Sequence, residues 1–180
     1  MPHYAELHCL SNFSFLRAAS HPEELVARAV ELGYTALAVT DRHSLAGIVE
    51  AHAAAKEAGL KLLIGAEVHP SNAPSTVLLA ADRAAYGRLA RLLTLGKSRA
   101  PKGECHLTFA DLATFGEGLL ACVFADPAAQ SPPTIAQLSA YRELFGDRAY
   151  LLAETHCGPD DLAWFAGLRE LSRRTKVPLA

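Results

Sequence analysis

The chain contains no apolar run near the roughly 20 residues needed to cross a bilayer. Its opening, Met1-Pro2-His3-Tyr4-Ala5-Glu6, also lacks the basic-then-apolar order of a secretory signal. Both absences predict a soluble, cytoplasmic protein with no membrane partner. The four cysteines, Cys9, Cys105, Cys122 and Cys157, include no C-x-x-C pair, which argues against a disulfide framework or a structural zinc site. There is no excess of basic residues: the formal net charge is -2, which gives no support to a free-standing nucleic-acid binder. No low-complexity segment, linker or internal repeat interrupts the chain, and no glycine-rich dinucleotide fingerprint follows its first strand-like run.

What is present is a hydrophobic fraction of 51% over 180 residues, ample for one packed domain. Apolar runs at 4–9, 35–40, 60–68, 76–81, 119–124 and 149–155 read as strands. Helical patterns are predicted at 44–58, 83–95, 109–114, 135–145 and 160–175. A further helix opens at Ser20-His21-Pro22-Glu23, which offers a cap, an early proline and a capping-box glutamate, and stops at Gly33. Residues 97–104 read as a polar loop. Strands alternating with helices predict parallel pairing through right-handed crossovers, here in an α/β fold of barrel type. Val177-Pro178-Leu179-Ala180 begins another apolar run where a seventh strand would start. The expectation is one domain over 1–180, incomplete at its carboxyl end, with an open sheet edge.

Three predicted strand ends carry polar groups: Glu6-Leu7-His8-Cys9-Leu10-Ser11, Val39-Thr40-Asp41-Arg42-His43 and Leu63-Ile64-Gly65-Ala66-Glu67. Carboxyl ends of parallel strands open on one face, so His8, Asp41 and Glu67 should converge there as candidate metal ligands for hydrolysis. Glu6, Arg42, His43 and His156 flank them as supporting or substitute groups. Plainer roles compete with these. His8 then hydrogen-bonds Glu67 or a backbone carbonyl, Asp41 caps the helix expected from Ser44, and Arg42 pairs with Glu67 or Asp41. The remaining histidines, His69 among them, share no ligand spacing and read mostly as surface or capping residues. Arg83, Arg88, Arg91, Lys97, Arg99 and Lys102 form a basic cluster opposed locally only by Asp82 and Glu104. It reads as a solvated helix face with its loop, or as a contact for nucleic-acid phosphates or for a polymerase.

The Glu6–Phe15 block, Ala38-Val39-Thr40-Asp41, Ser44-Leu45-Ala46-Gly47, Gly65-Ala66-Glu67-Val68, Leu119–Val123, Phe145-Gly146-Asp147-Arg148 and Glu154 resemble the PHP (polymerase and histidinol phosphatase) family. The likeness is greatest to the amino-terminal segment of bacterial C-family DNA polymerases of the error-prone type. It implies a distorted seven-stranded β/α barrel, truncated here at the start of the seventh strand, whose mouth holds up to three metal ions in the family. Two family ligand positions are altered: Leu10 stands in place of the second histidine of a His-x-His pair, and Arg42 in place of the histidine of Thr-Asp-His. A further Asp-x-His pair would lie beyond Ala180. The resemblance therefore implies a structural scaffold within a DNA-directed DNA polymerase for damage-tolerant synthesis. The competing implication is a metal-dependent phosphoesterase or 3′–5′ exonuclease at the barrel mouth. As cofactors it implies none in this segment, with zinc or manganese for a residual site and magnesium for the parent polymerase. As partners it implies the remaining polymerase domains, DNA through the parent chain, and replication or damage-tolerance proteins.

Overall fold

The computed structural model describes residues 4–124, 132–154 and 158–180. The strands are β1 (Ala5–Cys9), β2 (Ala36–Val39), β3 (Lys61–Val68), β4 (Thr76–Ala80), β5 (Leu119–Phe124) and β6 (Ala149–Leu152), and they pair in sequence order. The helices are α1 (Pro22–Glu31), α2 (Ile48–Ala58), α3 (Arg83–Ser98), α4 (Phe109–Phe115), α5 (Ile135–Phe145) and α6 (Asp161–Thr175). Side chains of β1 and of the segment after β6 touch, although these are the two outer strands, so the sheet is curled into a half-barrel.

Period-two alternation divides the core between the two faces of this sheet. Leu78, Ala121, Val123 and Leu151 pack outward with Leu89, Leu92, Leu112, Tyr141 and Phe145 of the covering helices. Leu37 and Val39 do the same with Val26, Ala29, Ile48, Ala51 and Ala55 of α1 and α2. The intervening residues, Ala38, Val77, Leu79, Cys122, Phe124 and Leu152, point inward and fill the concave side. Each fully buried Leu or Val contributes about 1.5–3 kcal/mol. Strands buried on both faces explain why these runs lack the polar residues of a half-exposed sheet.

The expectation of all-parallel pairing fails at β4, which runs antiparallel to both β3 and β5; β1–β2, β2–β3 and β5–β6 are parallel. The link between β3 and β4 spans only residues 69–75, too short for a crossover, which takes a dozen residues or more. Gly65 permits the close β3–β4 approach, since a Cβ there would lie 2.5 Å from the Leu78 carbonyl oxygen.

Helix boundaries also differ from expectation. α2 starts at Ile48, not Ser44, because His43 takes a left-handed conformation (φ 50°) and 44–47 stay outside the helix, ending in a turn at 46–47. α3 continues to Ser98, so the polar loop begins at Arg99. The first helix is capped one residue late, with the Glu24 carboxylate accepting from the His21 amide at 2.8 Å. The final residues do add to the sheet: Leu151 bridges Leu179 in parallel, through hydrogen bonds from Leu151 N to Pro178 O and from Ala180 N to Leu151 O.

Candidate functional site

A bulge in β1 sets the site. Glu6 pairs with Leu37 and Cys9 with Val39, so β1 carries one extra residue between these rungs. Leu7 packs against the inward cluster and Cys9 against the outward one, although two residues apart they would normally share a face. His8 is the added residue, and its ring lies 5.2 Å from the inward Phe124 ring. Bulges re-aim side chains in this way, often beside functional sites.

On the concave side His8 meets two carboxylates. Its Nε2 donates to Glu67 Oε2 at 3.0 Å, and its Nδ1 donates to Glu154 Oε1. Glu67, at the end of β3, is 2% exposed. Its other oxygen, Oε1, accepts from His69 Nε2 and lies 4.0 Å from Arg42 Nε. The second nitrogen of His69, Nδ1, sits 2.8 Å from the Ser75 hydroxyl, just before β4. The antiparallel direction of β4 is what brings its amino end to this mouth. A continuous polar chain, Glu154–His8–Glu67–His69–Ser75, results.

Burial alone would lower the His8 pKa, but the hydrogen bonds to Glu154 and Glu67 outweigh it and raise the value to about 9. Burial alone would raise that of Glu67, yet the hydrogen bonds from His69 and His8 hold it well below the usual carboxylate range. His43 is different: burial, then the neighbouring His69 and Arg42, push it down to about 4. It is therefore neutral at ordinary pH, and its Nε2 accepts the His69 amide at 3.0 Å.

Asp41 does not join the chain. Its carboxylate, 1% exposed, accepts from the Ser11 amide at 2.8 Å and from the Ser11 and Ser14 hydroxyls at 2.6 Å each. It ties the loop after β1 to the end of β2 and does not cap α2. The Glu6 carboxylate accepts from the His8 amide and the Tyr4 hydroxyl and lies outside the chain. His156 lies outside the described residues.

The basic cluster divides. Arg88 donates to the Glu117 carbonyl at 2.7 Å, Arg91 to the Gly87 carbonyl at 3.3 Å, and Arg99 to both oxygens of Asp111 at 2.9 Å. Arg83 is exposed at the start of α3. Lys97 and Lys102 instead line a cleft of about 610 Å³ beside the barrel mouth, with Arg17 and Arg42.

Sequence reasoning overlooked His69 and did not place Glu154 in the site. The Glu67-x-His69 spacing was the available signal, since residues two apart on a strand share a face.

The family model described as the PHP domain matches residues 6–155. The chain belongs to the PHP family. Curated relatives named error-prone DNA polymerase include one from Rhodopirellula baltica, 50% identical over 98% of this chain. Another, from Aromatoleum aromaticum, is 54% identical over 88% of it. The match spans only 16% and 15% of those two relatives' own lengths. Among solved structures, a protein from Bifidobacterium adolescentis described as a metal-dependent phosphoesterase aligns with a TM-score of 0.74 at 14% identity, covering 99% of this chain and 86% of that one. An amidohydrolase from Chromobacterium violaceum aligns at 0.63 and 18% identity, covering 97% and 84%. At such identities the likeness concerns the fold alone, a PHP-type barrel.

The groups at the mouth are occupied with one another. Both nitrogens of His8 face carboxylates. Glu67 is taken up by two histidines and approached by a guanidinium, and Leu10 offers no donor. Among the described residues, no group of three or more His, Cys, Asp or Glu side chains is arranged to hold a metal ion. Among them, too, no helix is long and apolar enough to cross a membrane.

Proposed function

We propose that this PHP domain is the amino-terminal scaffold of an error-prone DNA polymerase, its barrel mouth closed by internal ion pairs. Template-directed nucleotide addition belongs to the other domains of the parent chain, which are its first partners. The observation that carries this reading is His8 donating to Glu67 and Glu154 together. An imidazolium between two carboxylates holds β1, β3 and the end of β6 to one another. Arg42 adds a fixed positive charge where the family resemblance expects a histidine ligand. Nearly whole-chain similarity to error-prone polymerases, over a small part of their length, supports the parentage.

The competing activity is metal-dependent phosphoester hydrolysis at the same mouth, favoured by the fold of the phosphoesterase neighbour. Purified protein supplied with zinc or manganese is expected to leave a nitrophenyl phosphate ester intact. Turnover abolished by His8→Ala would overturn the scaffold reading.

A further inference from the structure

The cleft beside the barrel mouth is not used by the ion-pair chain, apart from Arg42 and His43 at its edge. It is lined from three directions: by Phe13, Phe15 and Arg17 of the loop after β1, by Arg42 after β2, and by Lys97 and Lys102 at the end of α3 and in the following loop. Four cationic residues face one carboxylate, Glu104, in a protein whose net charge is -2. Glu104 is itself paired with His106 at 3.3 Å. Among the described residues, Arg17, Lys97 and Lys102 have no carboxylate within 4.0 Å, and Arg42 reaches Glu67 only at that limit. Cations gathered without counter-ions repel one another, and a bound polyanion relieves that repulsion.

The cationic wall is also fixed in place. A Cβ on Gly96 would come within 2.5 Å of Cys105 Sγ, so the loop after α3 folds directly onto the helix backbone. The His106 amide donates to the Gly96 carbonyl at 2.9 Å, and Arg99 is tied to Asp111. Lys97 and Lys102 are thereby presented together. Across from them, Phe15 is 82% exposed and Phe13 is 40% exposed.

We infer that this cleft binds a segment of single-stranded DNA, with the phosphates on Arg17, Arg42, Lys97 and Lys102 and an unpaired base against Phe15. A cationic groove edged by aromatic rings is the pattern of single-strand binding, because every base offers a face for stacking. A duplex has no free base faces to use Phe15. The cleft volume of about 610 Å³ suits a few ligand groups, within the usual pocket range of about 300–1,000 Å³. That the strand is DNA and not RNA rests on the proposed polymerase parentage; the cleft and its charge do not.

Fluorescence anisotropy of the purified protein with a thymidylate oligomer of about ten nucleotides, at about 50 mM salt, tests this. Lys97→Ala with Lys102→Ala is expected to weaken binding roughly tenfold and to flatten the slope of log affinity against log salt by about 1.4, at about 0.7 per phosphate contact. Phe15→Ala should weaken it at least about fivefold, the low end for base stacking. Arg83→Ala with Arg91→Ala, on the same helix but outside the cleft, should change neither quantity. Circular dichroism establishes that each variant is folded, and Lys97→Arg with Lys102→Arg should restore binding. The inference is overturned if the oligomer does not bind, if the control arginines matter as much as the lysines, or if a duplex or a polyglutamate chain binds as tightly. Tighter binding of a uridylate oligomer would overturn the assignment to DNA while leaving the scaffold reading intact.

Discussion

His8 donates through one ring nitrogen to Glu67 and through the other to Glu154, and Glu67 is 2% exposed. Removing the imidazole takes one of two histidine partners from the buried Glu67 carboxylate, and loss of one member of a buried pair costs up to about 3–5 kcal/mol. His8→Ala is therefore expected to lower the urea midpoint sharply with an unchanged m-value, and a shift worth less than about 1 kcal/mol would show that the chain contributes little to stability. The same residues fix the pH range of stability. His8 titrates at about 9 in the fold against an ordinary value of 6.5, so its contribution is complete below the ordinary value and fades as pH rises through about 9. Glu67 is shifted the other way: its contribution holds above the ordinary 4.5 and is lost as pH falls below it. His43, depressed to about 4, binds a proton more readily when unfolded, so stability also falls between about 6.5 and 4. Unfolding free energy measured against pH should thus be greatest near neutrality and decline on both sides. His43→Gln should flatten the decline between pH 6.5 and 4 without touching the alkaline side; an unchanged acid limb would mean that His43 is not its source.

At the scale of elements, the close contact of β3 with β4 is what sets the height of Glu67 in the mouth. Gly65→Ala would place its Cβ 2.5 Å from the Leu78 carbonyl and 2.6 Å from Leu79 Cδ2, and backbone cannot yield as a side-chain tip does. The expected cost is about 1–3 kcal/mol of overpacking. Amide exchange should speed up along β3 and β4 first, and uniform protection of both strands in the variant would show that the contact is slack. These two strands also show where sequence reading stops. The apolar runs made every strand legible, because burial on both faces leaves the same continuous pattern whichever way a strand runs. Direction was carried only by the short 69–75 link. The site was legible to the same degree. His8 and Glu67 stand at strand ends as expected, but Asp41 turned to Ser11 and Ser14, whose donors come from a loop that periodicity does not place. Arg99 likewise left the basic cluster for Asp111, a partner visible only once α3 and α4 are packed together.

At the scale of the whole molecule, the curl of the sheet depends on what lies against β6. Residues 177–180 run beside it, with Leu151 N donating to Pro178 O at 2.8 Å, and Ala180 N to Leu151 O and Ala153 N to Ala180 O at 3.0 Å each. Val177 is fully buried in the main core cluster. Deleting these four residues removes three backbone hydrogen bonds at about 1 kcal/mol each. It also removes one buried valine, worth about 1.5–3 kcal/mol. The loss, on the order of 5–6 kcal/mol, is a large part of the roughly 5–15 kcal/mol that holds a domain folded. The shortened protein would present the donors and acceptors of β6 along an unpaired edge, a template for pairing with a second copy. A much lower urea midpoint and concentration-dependent light scattering are expected together. Were the shortened protein to keep its midpoint and stay monomeric, residues 177–180 would be an ornament on β6 and not part of the barrel wall.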